Sequence, residues 1–180
     1  MAFIPSISSA QESEWAVMSR YMDQTKPLFA LTQIVMRSGD CSLSSGQREL
    51  LAAFTSSLNR CTYCFGVHES TAQSFGVEAD LLSALQRDID TAPIEDRLKP
   101  LLRYTEKLTR APSTVVQSDV DAIIAAGWDD NDFHYVVMIC ALFNFFNRLI
   151  EGYGVENVLD YRVQHGRTLH ANGYRLPTDG

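Results

Sequence analysis

The stretch DFHYVVMICALFNFFNRLIEGYG, residues 132–154, decides the fold. It is apolar almost all the way round a helical wheel, so it reads as a central helix, starting at Asp130 or Asn131 and surrounded by other elements. Outward from it the chain shows helical punctuation and no convincing strand alternation. Ser9 reads as the cap of a helix carrying Trp15, Met18 and Met22. Pro27 opens a helix over 27–38 with Leu28, Leu31 and Val35 on one face and Gly39 as its stop. Ser44 and Gln47 form a capping box for a helix to about Asn59, with Leu50, Leu51, Phe54 and Leu58 as its apolar stripe. Residues 61–74 follow as a helix closed by Gly76, then a shorter one over 79–87. Pro100 opens a helix with Leu101, Leu102, Tyr104 and Leu108, and Ser118 caps another over 119–126. SFGVE at 74–78 and GYGVE at 152–156 echo each other at two helix ends, too briefly to establish a repeat.

The expected fold class is therefore all-α, with about eight helices. At roughly 150 residues per domain, 180 residues make a single domain, 1–180. Within it we expect an N-terminal helical extension (1–39), a core over about 40–160, and a polar, turn-rich tail (165–180). That tail is expected to be disordered or an arm laid on a partner subunit.

Fifteen Lys and Arg against 22 Asp and Glu leave a net charge of −7. This speaks against nucleic acid and against an anionic membrane surface, both of which select basic proteins. The longest uninterrupted apolar run, 135–143, is far short of the ~20 residues that span a bilayer. The first residues lack a basic n-region and an apolar h-region. A cytoplasmic location is the expectation, and in a reducing compartment Cys41, Cys61, Cys64 and Cys140 are not a structural disulfide framework.

The chemistry lies in ELLAAFTSSLNRCTYCFGVH, residues 49–68. If Cys61 begins a helix, then Cys61, Cys64 and His68 stand at i, i+3 and i+7 and share one face. Two thiols three apart at a helix start can reach disulfide geometry, and the positive end of the helix favours a thiolate. An ordinary thiol of pKa ~8.5 is only about 3% ionised at pH 7, so the activation matters. His68, one turn after Cys64, can take its proton, and Glu49 on the preceding helix can orient His68. Peroxide reduction needs these parts: a thiolate to attack the O–O bond, an acid for the leaving alkoxide, and a second thiol to resolve the sulfenic acid.

Two other readings of the same residues stay open. A CxxC also serves dithiol–disulfide exchange or redox sensing, and Cys61, Cys64 and His68, with or without Glu49, could hold zinc in a non-catalytic oligomer. No second cysteine pair follows at zinc-ribbon spacing, and no nucleotide, flavin or haem motif is visible, so no cofactor and no metal are expected. Asn144, Asn147 and Arg148 share a face of the apolar helix, and a structural or subunit contact is the favoured reading. Cys140 reads as a packed core thiol, Cys41 as a turn residue, His134 as surface, and His165 and His170 as tail residues.

The pattern E-x11-C-x2-C-x3-H resembles the active-site pattern of alkyl hydroperoxidase D-like (AhpD-like) proteins of the carboxymuconolactone decarboxylase superfamily. The stretches LLRYTEKLTRAPSTVVQSDVDAIIAAGWDD (101–130) and ALFNFFNRLIEGYGVE (141–156) resemble its peroxidase-related branch. The resemblance covers roughly residues 40–160. It implies an AhpD-like helical bundle, homo-oligomeric assembly and thiol-dependent reduction of organic hydroperoxides. It makes Cys64 the peroxidatic cysteine, Cys61 the more exposed resolving cysteine, and Glu49 and His68 the proton relay. The implied partners are a hydroperoxide and an external thiol reductant: a thioredoxin-like protein, a lipoyl carrier or a small thiol. AhpD proteins can carry a histidine just before the second cysteine, where this chain has Tyr63. A phenol of pKa ~10 does not shuttle protons near pH 7, which puts high turnover in doubt.

Overall fold

The computed structural model describes residue 3 and residues 14–38, 40–155 and 159–176. Its helices are α1 (Glu14–Met18), α2 (Met22–Arg37), α3 (Ser45–Leu58), α4 (Thr62–Ser74), α5 (Leu81–Arg87), α6 (Lys99–Arg110), α7 (Gln117–Ala125), α8 (Asp130–Tyr153) and α9 (Leu159–Asn172). Short 3-10 turns join some of them, and no strand occurs among the described residues. The expected caps at Ser9 and Gly39 lie outside those residues.

One N-terminal signal works as the sequence predicts, and the structure adds a second. Ser44 Oγ accepts from the Gln47 N–H, and the Gln47 carboxamide accepts from the Ser44 N–H, so α3 starts on a closed capping box. Asp129 and Asp132 do the same for α8. The echo at 74–78 and 152–156 is one C-terminal device used twice. Gly76 and Gly154 both take positive φ, and the next valine N–H turns back to Ala72 and Ile150 respectively.

Helix α8 is 24 residues long and apolar enough, by length and composition, to cross a membrane. Here Val136, Ile139, Cys140, Phe143, Asn147 and Ile150 face the bundle interior, which is how a central core helix uses the same composition. Helix α4 packs most extensively on α3 and α9, while α3 also lies against α8 and α6. Thus α3 and α4, the helices carrying the Glu49 to His68 stretch, sit in the middle of the bundle.

Four expectations need correction. Pro27 lies inside α2, which starts at Met22. The N–H it lacks would have bonded Asp23, and both residues are exposed, so water can take the freed carbonyl. The buried face of α2 carries Thr25, Thr32, Val35 and Met36, whereas Leu31 is exposed. Helix α7 begins at Gln117, ahead of Ser118. Its first turn is closed by Asp119, whose carboxylate accepts from the Val116 N–H at 2.8 Å and pairs with Lys107.

The fourth correction concerns the tail. Its described part is neither disordered nor an arm: α9 lies on α4 of its own chain, and Leu169, Tyr174 and Leu176 are buried. Gly166 permits this approach, since a Cβ there would stand 2.7 Å from the Ser70 Cβ and 2.9 Å from the Val67 carbonyl. Helix propensity alone predicts that Gly166→Ala stabilises by about 1 kcal/mol. The packing predicts the opposite sign, a loss of about 1–3 kcal/mol, readable as a lowered urea midpoint.

Candidate active site

Between α3 and α4 the chain turns through Arg60, a non-glycine residue at φ 58°. That left-handed step lets the Cys61 N–H bond back to the Ser56 carbonyl and places Cys61 at the N-cap of α4. The two cysteines then share one helix start, as their spacing requires. Both are free thiols, close enough for Cys61 to raise the cost of ionising Cys64. Their exposure reverses what the resemblance implied: Cys61 is 0% exposed and Cys64 4%, and Cys64 is the one that lines a cavity.

The expected thiolate is also corrected. The neighbouring Cys61 thiol and then burial push the Cys64 thiol well above its ordinary range, and the Glu14 carboxylate adds to this. An amide from α8 pulls the other way: Asn147 hydrogen-bonds to Cys64. Asn147 is itself held by Asn59 and by Ser56, at 2.9 Å each. Asn144 accepts from Asn59 as well, and Arg148 bonds only the Asn144 carbonyl and amide oxygens. The asparagines are thus structural, with Asn147 reaching the thiol; neither they nor Arg148 bond Glu49. Since the resting site holds Cys64 as a thiol, ionising it needs a base.

That base is in place. Glu49 is completely buried, and His68 Nδ1 lies 2.7 Å from its Oε2. Arg37 of α2 donates to Glu49 Oε1 at 2.6 Å, and the Tyr174 hydroxyl donates to the same oxygen at 2.9 Å. Burial alone would push the Glu49 carboxyl up. The hydrogen bonds and charges of His68 and Arg37 outweigh it and hold the carboxyl below its ordinary range. Burial keeps Tyr174 a neutral donor. With Nδ1 on Glu49, Nε2 is the ring nitrogen left to meet a thiol or a water.

The cavity is narrow, with about 30 Å³ open to the centre of a water-sized sphere. Cys64, His68 and Tyr174 contribute the polar wall, and Phe29, Val67, Phe143, Phe146, Ile150 and Leu169 the apolar one. Tyr63, His165 and Glu14 complete it. The Tyr63 hydroxyl is 3.2 Å from His165 Nδ1 and 3.3 Å from Glu14 Oε2. Among the described residues no three His, Cys, Asp or Glu side chains are grouped as metal ligands.

The structure places the expected residues Glu49, Cys61, Cys64 and His68 on one α3–turn–α4 unit. Arg37, Tyr174, Asn147, His165 and Glu14 were missed. They arrive from α2, from the residues after α9, from α8, from α9 and from α1, and no local spacing announces them. Cys140 is buried as expected, Cys41 is half-buried, and His134 is exposed.

Glu49 is a stabilising group with a definite pH signature. Its carboxyl is depressed in the fold, so its contribution is complete above the ordinary value of 4.5 and is lost as pH falls through the lower folded value. Glu49→Ala leaves Arg37 and His68 facing an empty site and should cost about 3–5 kcal/mol at pH 7 in urea unfolding. The gap between wild type and variant should shrink well below pH 4.5.

No family model matches the sequence, and no curated protein does. Two solved structures are similar in fold. An uncharacterized peroxidase-related protein from Silicibacter sp. TM1040 aligns with a TM-score of 0.74 and 24% identity, covering 83% of this chain and 80% of that one. An alkylhydroperoxidase AhpD core, described as an uncharacterized peroxidase-related protein from Ralstonia eutropha JMP134, aligns with a TM-score of 0.76 and 24% identity, covering 85% and 80%. The chain thus has the AhpD-like all-helical fold.

Proposed function

We propose that this protein is a thiol-dependent peroxidase that reduces organic hydroperoxides through a Cys61–Cys64 dithiol/disulfide cycle. One observation carries the reading: Cys64 faces the cavity beside an imidazole already oriented by a buried carboxylate. The peroxidase-related descriptions of the two similar structures support the same reaction class.

In the forward step His68 takes the Cys64 proton, directly or through a water, and Glu49 stabilises the imidazolium that forms. The Cys64 thiolate attacks the terminal oxygen of ROOH. The S–O bond forms, the O–O bond breaks, and RO⁻ leaves as ROH after gaining a proton. Cys64 is then a sulfenic acid. Cys61, beside it in the reduced state, attacks the Cys64 sulfur, water departs, and the disulfide results. An external dithiol returns both cysteines to thiols by exchange. Cys61 is sealed from solvent, so the cavity at Cys64 is the open way to the disulfide, which suits a lipoyl arm or a small thiol better than a broad protein surface. Assembly of copies and a reducing cytoplasmic setting belong to the same proposal. Exposed Leu31 and Ile34, one turn apart on α2, offer an apolar face for association.

Fully reduced protein mixed with one equivalent of cumene hydroperoxide in a stopped-flow instrument should lose two thiols, mapped to Cys61 and Cys64, far faster than a free thiol reacts. Cys64→Ser should abolish the reaction, and Cys61→Ser should leave a dimedone-trappable sulfenic acid on Cys64. His68→Gln should slow oxidation by roughly 10²–10⁴-fold. A Cys64→Ser protein reducing the hydroperoxide at the wild-type rate would refute the peroxidase, and oxidation no faster than free thiol would point to disulfide exchange instead.

A further inference from the structure

The peroxidase cycle needs two proton transfers at Cys64, and they pull in opposite directions. The thiol must lose a proton before attack, and the departing alkoxide must gain one during it. His68 is committed to the first through Glu49. Across the same cavity stands a second imidazole with a carboxylate of its own, and nothing in the cycle above uses it.

Helix α9 carries Tyr161, His165 and Leu169 at i, i+4 and i+8, all toward α4. The Tyr161 ring stacks on Tyr63 with centroids 6.2 Å apart and lies 5.7 Å from His165. Tyr63, the residue just before Cys64, is 2% exposed, and burial followed by the charge of Glu14 keeps its phenol protonated. Its hydroxyl therefore donates, to Glu14 Oε2 at 3.3 Å, and accepts from His165 Nδ1 at 3.2 Å. Glu14 Oε2 also lies 3.7 Å from His165 Nδ1. These contacts fix the ring by Nδ1 and leave Nε2 as the nitrogen that can deliver a proton. The His165 side chain is 22% exposed, so it meets both the cavity and the solvent that recharges it.

A carboxylate at Glu14 is otherwise hard to explain here. It raises the cost of ionising Cys64, which works against the nucleophile. Its position makes sense if it orients the His165 ring, whose Nδ1 lies 3.7 Å from Glu14 Oε2. Tyr63 then does not shuttle the proton at all. It is the buried post to which the shuttling histidine is tied.

Resting on the peroxidase reading, we propose that His165 is the general acid of this site, oriented by Tyr63 and Glu14, and protonates the alkoxide released from the hydroperoxide. The proton goes from His165 Nε2 to RO⁻, giving ROH, and solvent returns a proton to the ring. The Cys64 proton stays on the separate His68–Glu49 pair and passes to solvent after the sulfenic acid condenses with Cys61, whose own thiol proton leaves in the water.

Leaving-group chemistry tests this directly. An alkyl hydroperoxide expels a strongly basic alkoxide and needs an acid; a peracid expels a weakly basic carboxylate and does not. Single-turnover oxidation of His165→Gln should be slowed about a hundredfold with tert-butyl hydroperoxide and less than about threefold with perbenzoic acid. Glu14→Gln should show the same selective loss in weaker form. In His165→Ala, free imidazole should restore the alkyl hydroperoxide rate and leave the peracid rate unmoved. Equal slowing with both oxidants, or none with either, overturns the assignment while the peroxidase stands. If the wild-type protein outruns free thiol with neither oxidant, the peroxidase reading falls and this inference with it.

Discussion

A carboxylate with no solvent exposure is tolerable only if its charge and lone pairs are met, and the structure around Glu49 is largely the meeting of that demand. Arg37 supplies the positive charge from α2, His68 a hydrogen bond from α4, and Tyr174 another from beyond α9. Each partner is secured in turn. Arg37 donates to the Leu169 carbonyl and stacks over Phe75 and Tyr174, with 5.1 Å from guanidinium carbon to each ring centroid. The ring of His68 meets Phe143 edge-on at 4.4 Å. One buried charge thereby ties the two ends of the chain to its centre. Removing any partner leaves a polar group without its match in the interior, so the ends are conditions for the site.

The same constraint shapes the reactivity. Cys64 is buried, close to a second thiol and near a carboxylate, all of which oppose a resting thiolate. A site arranged this way keeps its nucleophile protected and spends ionisation only when His68 takes the proton. The helix N-terminus, which the sequence suggests as the activator, contributes a fixed partial charge worth typically 0.3–1 kcal/mol at a surface. Here desolvation and the neighbouring thiol outweigh it. On the proposed reading, that ordering gives the Glu49–His68 pair the task of ionising the thiol.

What was legible in the sequence follows from distance along the chain. The Ser44 and Gln47 box, the glycine closures at Gly76 and Gly154, and the apolar helix through Phe143 are local patterns, and local hydrogen bonds decide them. Glu49, Cys61, Cys64 and His68 were legible for the same reason, because one helical hairpin carries all four. The α2 face was misread because Leu31 outranks Thr32 on any hydrophobic scale. Yet Thr32 is the buried one, its hydroxyl donating to the Leu28 carbonyl and so needing no outside partner. The tail was misread because polarity was taken for exposure. HGRTLHANGYRL does carry charged and polar residues, but at a spacing that turns His165, Leu169 and Tyr174 inward and leaves Arg167, Thr168 and His170 outside.

The tail's placement changes what Tyr63 means. Taken as a substitution for a histidine, it removes a titratable group from the cysteine motif and suggests a slower enzyme. In the fold the phenol reaches a histidine that arrives from a helix a hundred residues later, and the half-buried ring of Tyr161 stacks on it. An imidazole inside the CxxC would sit on the helix that also carries both thiols. An imidazole on α9 lines the same cavity from another element, with its own carboxylate and its own access to water. Two histidines on separate elements can hold opposite protonation states, which a single residue next to the nucleophile cannot do within one step. Tyr63 and the packing of α9 onto α4 thus act on one site, visible only once α1, α4 and α9 are brought to the same cavity.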